Sequence, residues 1–420
     1  MPALTERDRY EWRVGDRVDP IEGLASFCDH YGLPVIDLTA GAGSSASRYS
    51  VGLLIGAAAC ARAAGVGPGP PSPCPAVPDL AAVVFDTFNE PEYVSARCSA
   101  LSLGEWRRSW SDTEHAAAVC AVRAAIGRGE VYQVNVVGHR SAPYAGDAAA
   151  ALRAVAGLPG ATYGGGLAGD GWTVATASPE CLLTVAGGVA RTHPIKGTRP
   201  ATAVGRAELL ADPKERAEHM MIVDLERNDL SRVAVTGSVS VPELFAVREW
   251  CGLWQAESVV SARLRPGTGL VELLRAVLPG GSVTGAPKLA ALDQIAALEP
   301  VGRGPSMGAL GLFTADRLDL GLTIRTVAAD GERLHLWAGG GITWGSEPER
   351  EVVEAHAKAG PLLAAIATAA GPPGTVPPAT VPPATAPPAT APPATAPPAT
   401  VPPATAPPGT VPSGAPEIRS

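Results

Sequence analysis

The sequence has 420 residues, 46% hydrophobic and 18% charged, with a formal charge of −8 at pH 7. A chain of this length buries one large core or two intimately packed halves. Its acidity excludes a general nucleic-acid binder, so an anionic substrate has to be attracted locally, by a metal or a few placed donors.

The N-terminal twenty residues are charged and contain no apolar stretch of signal-peptide length. The longest apolar run, residues 51–64, carries Arg62 and is too short to span a bilayer, so no membrane association is expected. Residues 66–79, with six prolines, read as a loop or a connection between subdomains. Residues 113–127 have the spacing of an amphipathic helix, and 131–137 and 172–177 read as strands. Apolar residues recur at helical spacing over 208–229, and 271–278 and 288–297 read as helices. Residues 310–313, 320–328 and 334–338 read as strands, and 349–367 as a closing helix. No βαβ unit with a glycine fingerprint occurs, which points to an α+β fold with large antiparallel sheets. From 371 to about 414 the chain repeats pentads such as VPPAT and APPAT. Proline at that density removes backbone donors and fixes φ, so a disordered, polyproline-like tail is expected. The seven cysteines, Cys28, Cys60, Cys74, Cys98, Cys120, Cys181 and Cys251, are odd in number and form no Cys-x-x-Cys pair. They support neither a disulfide framework nor a zinc site and fit a reduced, cytoplasmic setting.

Several groups can carry chemistry. Glu215 and Glu218 lie three apart, as do Glu351 and Glu354, so each pair projects from one helix face. Two such faces opposed would offer four carboxylates to a hard cation such as Mg²⁺. Two solvated acidic faces are the plain alternative. The segment around Thr284 and Gly285 precedes a helix and can present backbone N–H groups to a carboxylate, and Gly339, Gly340 and Gly341 would let a ligand approach the backbone. Simple structural turns explain both equally well. Lys196 stands between Pro194 and Gly197 and is either a surface lysine or, with a lowered pKa, a nucleophile. Glu180 follows a strand at Ser178-Pro179 and is a general acid or a cap.

The segments GEVYQVN (129–135), SPE (178–180), PIKGTRP (194–200), DPKERAEHMMIVDLERNDLSRV (212–233), GGSVTGAPK (280–288), IRT (324–326) and GGGIT (339–343), with the Glu351/Glu354 helix, follow one another in a single order. Over about residues 110–368 they resemble the chorismate-binding enzyme family, whose members include anthranilate, isochorismate, salicylate and 4-amino-4-deoxychorismate synthases. Residues 1–109 match only loosely, through Arg48 to Gly52, and 371–420 lie outside the resemblance.

The resemblance implies a two-subdomain sandwich of antiparallel sheets with flanking helices. It implies that Glu218 and Glu354 bind Mg²⁺ directly, with Glu215 and Glu351 helping through water. Arg325, Thr284, Gly285 and the Gly339–Gly340–Gly341 segment would hold the carboxylates of chorismate, Gln133 would also contact the substrate, and Glu180 would protonate the departing 4-hydroxyl. Members that add water carry a lysine base where this chain has Gln133, and anthranilate synthases have alanine where it has Lys196. Both positions resemble the branch that aminates C4 to give 4-amino-4-deoxychorismate for para-aminobenzoate and folate, with Lys196 forming a covalent adduct. Ammonia would come from a separate glutamine amidotransferase subunit or from solution. Two residues depart from the family pattern, Gln255 for a histidine and Ser306 for a tyrosine. The alternatives are amination at C2, giving anthranilate or aminodeoxyisochorismate, and a non-catalytic paralogue that binds chorismate or a partner.

Overall fold

A computed structural model describes residues 6–39, 47–86 and 100–370, and the proline-rich tail expected from 371 onward lies outside the described residues. The elements from the N-terminus are β1 (Glu6–Trp12), α1 (Pro20–His30), β2 (Tyr49–Ile55), α2 (Ala57–Ala63) and β3 (Leu80–Asp86). Next come β4 (Ser102–Leu103), β5 (Arg107–Arg108), α3 (Asp112–Gly127), β6 (Gln133–Ala145), α4 (Ala149–Ala156), β7 (Gly165–Gly169), β8 (Trp172–Thr176), β9 (Cys181–Ala186), β10 (Val189–His193) and β11 (Ile195–Pro200). Two helices, α5 (Ala203–Ala211) and α6 (Pro213–Ser231), precede the hairpin of β12 (Ser240–Trp250) and β13 (Leu253–Arg263). The remainder is α7 (Leu270–Val277), β14 (Gly285–Ala286), α8 (Lys288–Leu298), β15 (Ala309–Phe313), β16 (Arg317–Leu322), β17 (Thr326–Ala329), β18 (Arg333–Ile342) and α9 (Pro348–Ala369).

Two antiparallel sheets organise these elements, as the α+β reading requires. The first has ten strands in the order β1-β3-β2-β15-β16-β9-β10-β13-β11, with β12 also on β13. Its central β2 and β3 are almost wholly buried, which is why they read as continuous apolar runs rather than alternating ones. The second has eight strands in the order β14-β6-β18-β17-β8-β7, with β4 and β5 also on β6. Helices α4 and α9 pack on this sheet through Leu152, Val155, Leu362 and Ile366, and α3 and α8 pack on it through Val119, Val122, Ala291 and Ile295. Residues 6–86 do not form a unit of their own, because β2 pairs with β15 along its length.

The structure changes three sequence expectations. The helical spacing over 208–229 is two helices, because Asp212 caps α6 by accepting from the amides of Lys214 and Glu215 and Pro213 takes the first helical position. The single strand expected over 320–328 is β16 and β17, which belong to different sheets, and the chain crosses between them at Thr323, Ile324 and Arg325. Gly339, Gly340 and Gly341 form no turn. They continue β18, opposite Val137, Val136 and Asn135 of β6. A Cβ on Gly339 would lie 1.9 Å from the Val136 carbonyl oxygen, so glycine is required there by strand packing.

Candidate active site

The crossover from β16 to β17, the edge strand β11, the strand β18 and the helices α6 and α9 enclose a cavity of about 110 Å³. Among its lining residues are Glu180, Lys196, Arg325, Gly339, Gly340, Gly341 and all four glutamates of the two pairs.

Lys196 reaches the cavity because β11 bulges at Gly197, whose φ of 76° suits glycine. Its amine lies against β18: a Cβ on Gly341 would sit 2.7 Å from Lys196 Nζ and 3.0 Å from Gln133 Nε2. Among the described residues the amine makes no hydrogen bond or ion pair. Burial lowers its pKa, against the opposing pull of Glu218 and Glu180. Glu180 is buried between the two sheets. Its Oε1 accepts from Ser282 Oγ at 2.6 Å and from the Ile195 amide at 3.4 Å. Burial outweighs these bonds and pushes its pKa up to about 7.

Arg325 has a positive φ of 53°, is 6% exposed, and holds its guanidinium over the Trp250 ring at 4.1 Å. Its Nη1 is buried without a hydrogen-bond partner among the described residues. Burial pulls its pKa down to about 10, which leaves it cationic at neutral pH. A buried guanidinium with an unused donor facing a cavity is a site for an anionic oxygen.

The glutamate pairs face the cavity from α6 and α9, each on its own basic or hydroxyl partner. Glu215 accepts from Arg199 at 3.0 Å, Glu218 from Thr343 Oγ1 at 2.5 Å, and Glu354 pairs with Lys358 at 2.6 Å. Burial and then Glu218 raise the pKa of Glu215; burial and then Glu354 raise that of Glu351. Burial acts the same way on Glu354, but Lys358, Lys196 and Arg325 outweigh it and hold its pKa down. As oriented, no three His, Cys, Asp or Glu side chains among the described residues converge on a point that would hold a metal ion. The donor chemistry nevertheless fits a hard divalent cation: oxygen ligands only, with burial and the neighbouring carboxylate raising the pKa of Glu215 and of Glu351.

Three expected residues, Thr284, Gly285 and Gln133, do not line the cavity. Thr284 turns its hydroxyl to the Gly280 carbonyl at 2.8 Å, and Gly285 is packed in β14, where a Cβ would lie 2.1 Å from the Gln133 carbonyl oxygen. Along the short β14–β6 pairing the Thr284 and Ala286 carbonyls accept from the Asn135 and Tyr132 amides, and the Thr284 amide donates to the Gly281 carbonyl. Gln133 is fully buried beside Lys196, and neither of its side-chain amide atoms has a hydrogen-bond partner among the described residues. Gln255 lines the cavity with its Oε1 unpartnered among the described residues, whereas Ser306 is buried and donates to the Thr323 carbonyl at 3.1 Å.

The sequence reading missed Ser282, Asn135 and Lys358, all of which line the cavity. Ser282 and Asn135 lie inside motifs already noted, but only the fold shows that their side chains point inward. Lys358 sits one helical turn after Glu354, a spacing that signals an ion pair.

Residues 76–364 match the chorismate binding enzyme family, and the chain belongs to it. Among its relatives, aminodeoxychorismate synthase component 1 of Klebsiella aerogenes is 38% identical over 265 residues, which is 61% of this chain and 59% of the relative. Anthranilate synthase component 1 1 of Haloarcula marismortui is 40% identical over 260 residues, 60% of this chain and 53% of the relative. The matched stretch thus spans little more than half the length of these curated relatives. In fold, the chain is similar to anthranilate synthase component I from Streptococcus pneumoniae, with a TM-score of 0.69 at 24% identity over 85% of this chain and 91% of that one. Among the described residues no helix is long and apolar enough to cross a membrane.

Proposed function

We propose that this chain aminates chorismate at C4, giving 4-amino-4-deoxychorismate, with Lys196 as a transient covalent nucleophile and Glu180 as the acid. The observation that carries this reading is the pairing inside one cavity of an unpartnered, desolvated lysine amine with a carboxyl whose pKa is pushed up to about 7. Each group is held toward the protonation state its role needs: a neutral amine and a protonated acid.

In the first displacement, the Lys196 Nζ lone pair forms a bond to C2, both ring double bonds shift (C1=C2 to C1=C6 and C5=C6 to C4=C5), and the C4–oxygen bond breaks. Glu180 gives its proton to the departing hydroxyl, which leaves as water, and the carboxylate takes the surplus proton from the new amine. In the second displacement, ammonia bonds to C4, both double bonds shift back, and the C2–nitrogen bond breaks as Glu180 returns its proton to the lysine nitrogen; the carboxylate then takes a proton from the new C4 ammonium. Splitting one hard substitution into two easier ones is the gain of covalent catalysis. Arg325 would hold a substrate carboxylate through its unused Nη1. Glu218 and Glu354 would hold Mg²⁺, with Glu215 and Glu351 around it, exchanging Arg199, Thr343 and Lys358 for the ion. When bound, the ion would offset the negative charge of a substrate carboxylate. Ammonia would be supplied by a separate amidotransferase subunit, as the component 1 designation of the relatives suggests.

Amination at C2 is the second reading, favoured by relatives named anthranilate synthase at comparable identity. Incubation of the chain with chorismate, Mg²⁺ and ammonium, followed by chromatography of the products, separates the two. The 4-aminated product is expected, and Lys196→Ala should abolish it. Anthranilate as the sole product, or an undiminished 4-amino product from Lys196→Ala, would refute the leading reading.

A further inference from the structure

A second cluster of cations lies outside the substrate cavity, where α3 and α9 cover β6 and β18. Arg108 of β5 stands directly opposite Arg140 of β6 in the antiparallel ladder. Like charges in that register repel. One carboxylate offsets them. Asp112 Oδ1, at the start of α3, accepts from Arg108 and, at 2.8 Å, from Nε2 of His356 on α9. That bond places the His356 proton on Nε2, so its Nδ1 carries the lone pair that accepts from Arg140 Nη2 at 3.0 Å. Arg108 Nη1 lies 3.3 Å from the same Nε2, but two N–H groups cannot bond each other.

The charges do not cancel. Arg140 is half-buried, and one of its five N–H groups has an acceptor among the described residues. That acceptor is a neutral imidazole. Burial, and then Arg108, pull the Arg140 pKa down, yet a guanidinium remains cationic at neutral pH. Two arginines against one aspartate leave the cluster positive. His115 adds no charge: burial pulls its pKa down to about 4, and its ring stacks on Trp110 at 4.8 Å.

Beside these groups is a cavity of about 20 Å³, room for little more than one water-sized group. Small residues leave the space: Gly138 and Ala338, paired across β6 and β18, and Ala355 of α9 all line it. Trp110 lies over Gly138, where a Cβ would come within 2.4 Å of its Nε1. Asp112 is the only carboxylate lining the cavity among the described residues, and its Oδ1 is already shared. Arg108 and Asp112 are exposed, so the cavity opens to solvent between them. Ala338 alone lines both this cavity and the substrate cavity.

We propose that this cavity binds a small oxyanion such as inorganic phosphate, with one oxygen held inside by Arg140 and a second held at the rim by Arg108. Guanidinium forks suit oxyanions, and the added charge offsets the two opposed arginines. The site is independent of the amination reading.

Two measurements on the full chain test it. In crystals soaked in sodium selenate, anomalous scattering should place selenium between Arg108 and Arg140. In solution, titration calorimetry with sodium phosphate, at an ionic strength held constant with sodium chloride, should show binding that weakens about tenfold or more in Arg108→Met and in Arg140→Met. Arg108 is exposed, so its variant is expected to fold even if Arg140→Met does not. Absence of selenium from this cavity would overturn the proposal, as would a wild type that binds no phosphate. Phosphate affinity unchanged in Arg108→Met would overturn it too, and is the result expected if phosphate sits at Arg325 alone.

Discussion

Glu180 and Lys196 show how burial sets chemistry at single residues. Glu180 is raised to about 7, so its acid form predominates below that pH and is lost above it. The turnover step that needs an acid should therefore fall as pH rises through about 7. Glu180→Gln keeps the shape but has no proton to give. It should lose roughly 10²- to 10⁴-fold in kcat and lose this limb of the pH profile. The same shift has a stability consequence. The folded state holds the Glu180 proton more tightly than the unfolded state, so this group's contribution to stability should decline between the ordinary carboxylate range and about pH 7. A pH–rate profile of wild type and variant checks the first expectation, and urea midpoints across that window check the second.

At the level of elements, β18 does two jobs with three consecutive glycines. Gly339 is needed for pairing with β6, since a Cβ there would meet backbone at 1.9 Å. Gly341 is needed for the site, since a Cβ there would meet the end of the Lys196 side chain at 2.7 Å. The two substitutions should separate accordingly. Gly339→Ala should lower the melting temperature as the β6–β18 ladder opens. Gly341→Ala should leave the melting temperature almost unaltered while displacing the amine, and misplacement of about 1 Å can cost about 10²-fold in rate. Thermal melts set beside turnover numbers for both variants test this division, and equal loss of stability in the two would refute it.

Across the whole molecule, the site exists because two sheets meet. The chain passes from one to the other at Arg325, and the buried Arg303–Glu299 pair fastens the junction. Glu299 also accepts from the Val137 amide of β6 at 2.9 Å, while Arg303 holds the carbonyls of Val283 and Asn135. Arg303→Leu leaves Glu299 buried without its cation and two carbonyls without donors. It should destabilise the protein by about 3–5 kcal/mol, whereas replacing Arg303 and Glu299 together by apolar residues should cost far less. Chemical denaturation of the single and double variants measures the difference, and equal losses would contradict this role.

The sequence by itself determined the α+β class, the helices that carry the two glutamate pairs, and the ordered motifs that place the chain in the chorismate binding enzyme family. Those features are local: apolar periodicity and three-residue spacing on a helix keep their meaning wherever the chain goes. Only the tertiary structure decided which motif residues face the cavity. Thr284 and Gly285 looked like anion binders, but Thr284 gives its hydroxyl to Gly280 and Gly285 is packed against β6. Ser282, two residues earlier, bonds Glu180 instead. The run 320–328 concealed a change of sheet, because an apolar stretch reads alike in either, and that change is what exposes Arg325 to the site. The same holds for the pKa values: the lysine and the glutamate carry ordinary chemistry in the sequence, and only burial by distant segments shifts them toward the states the proposed reaction requires.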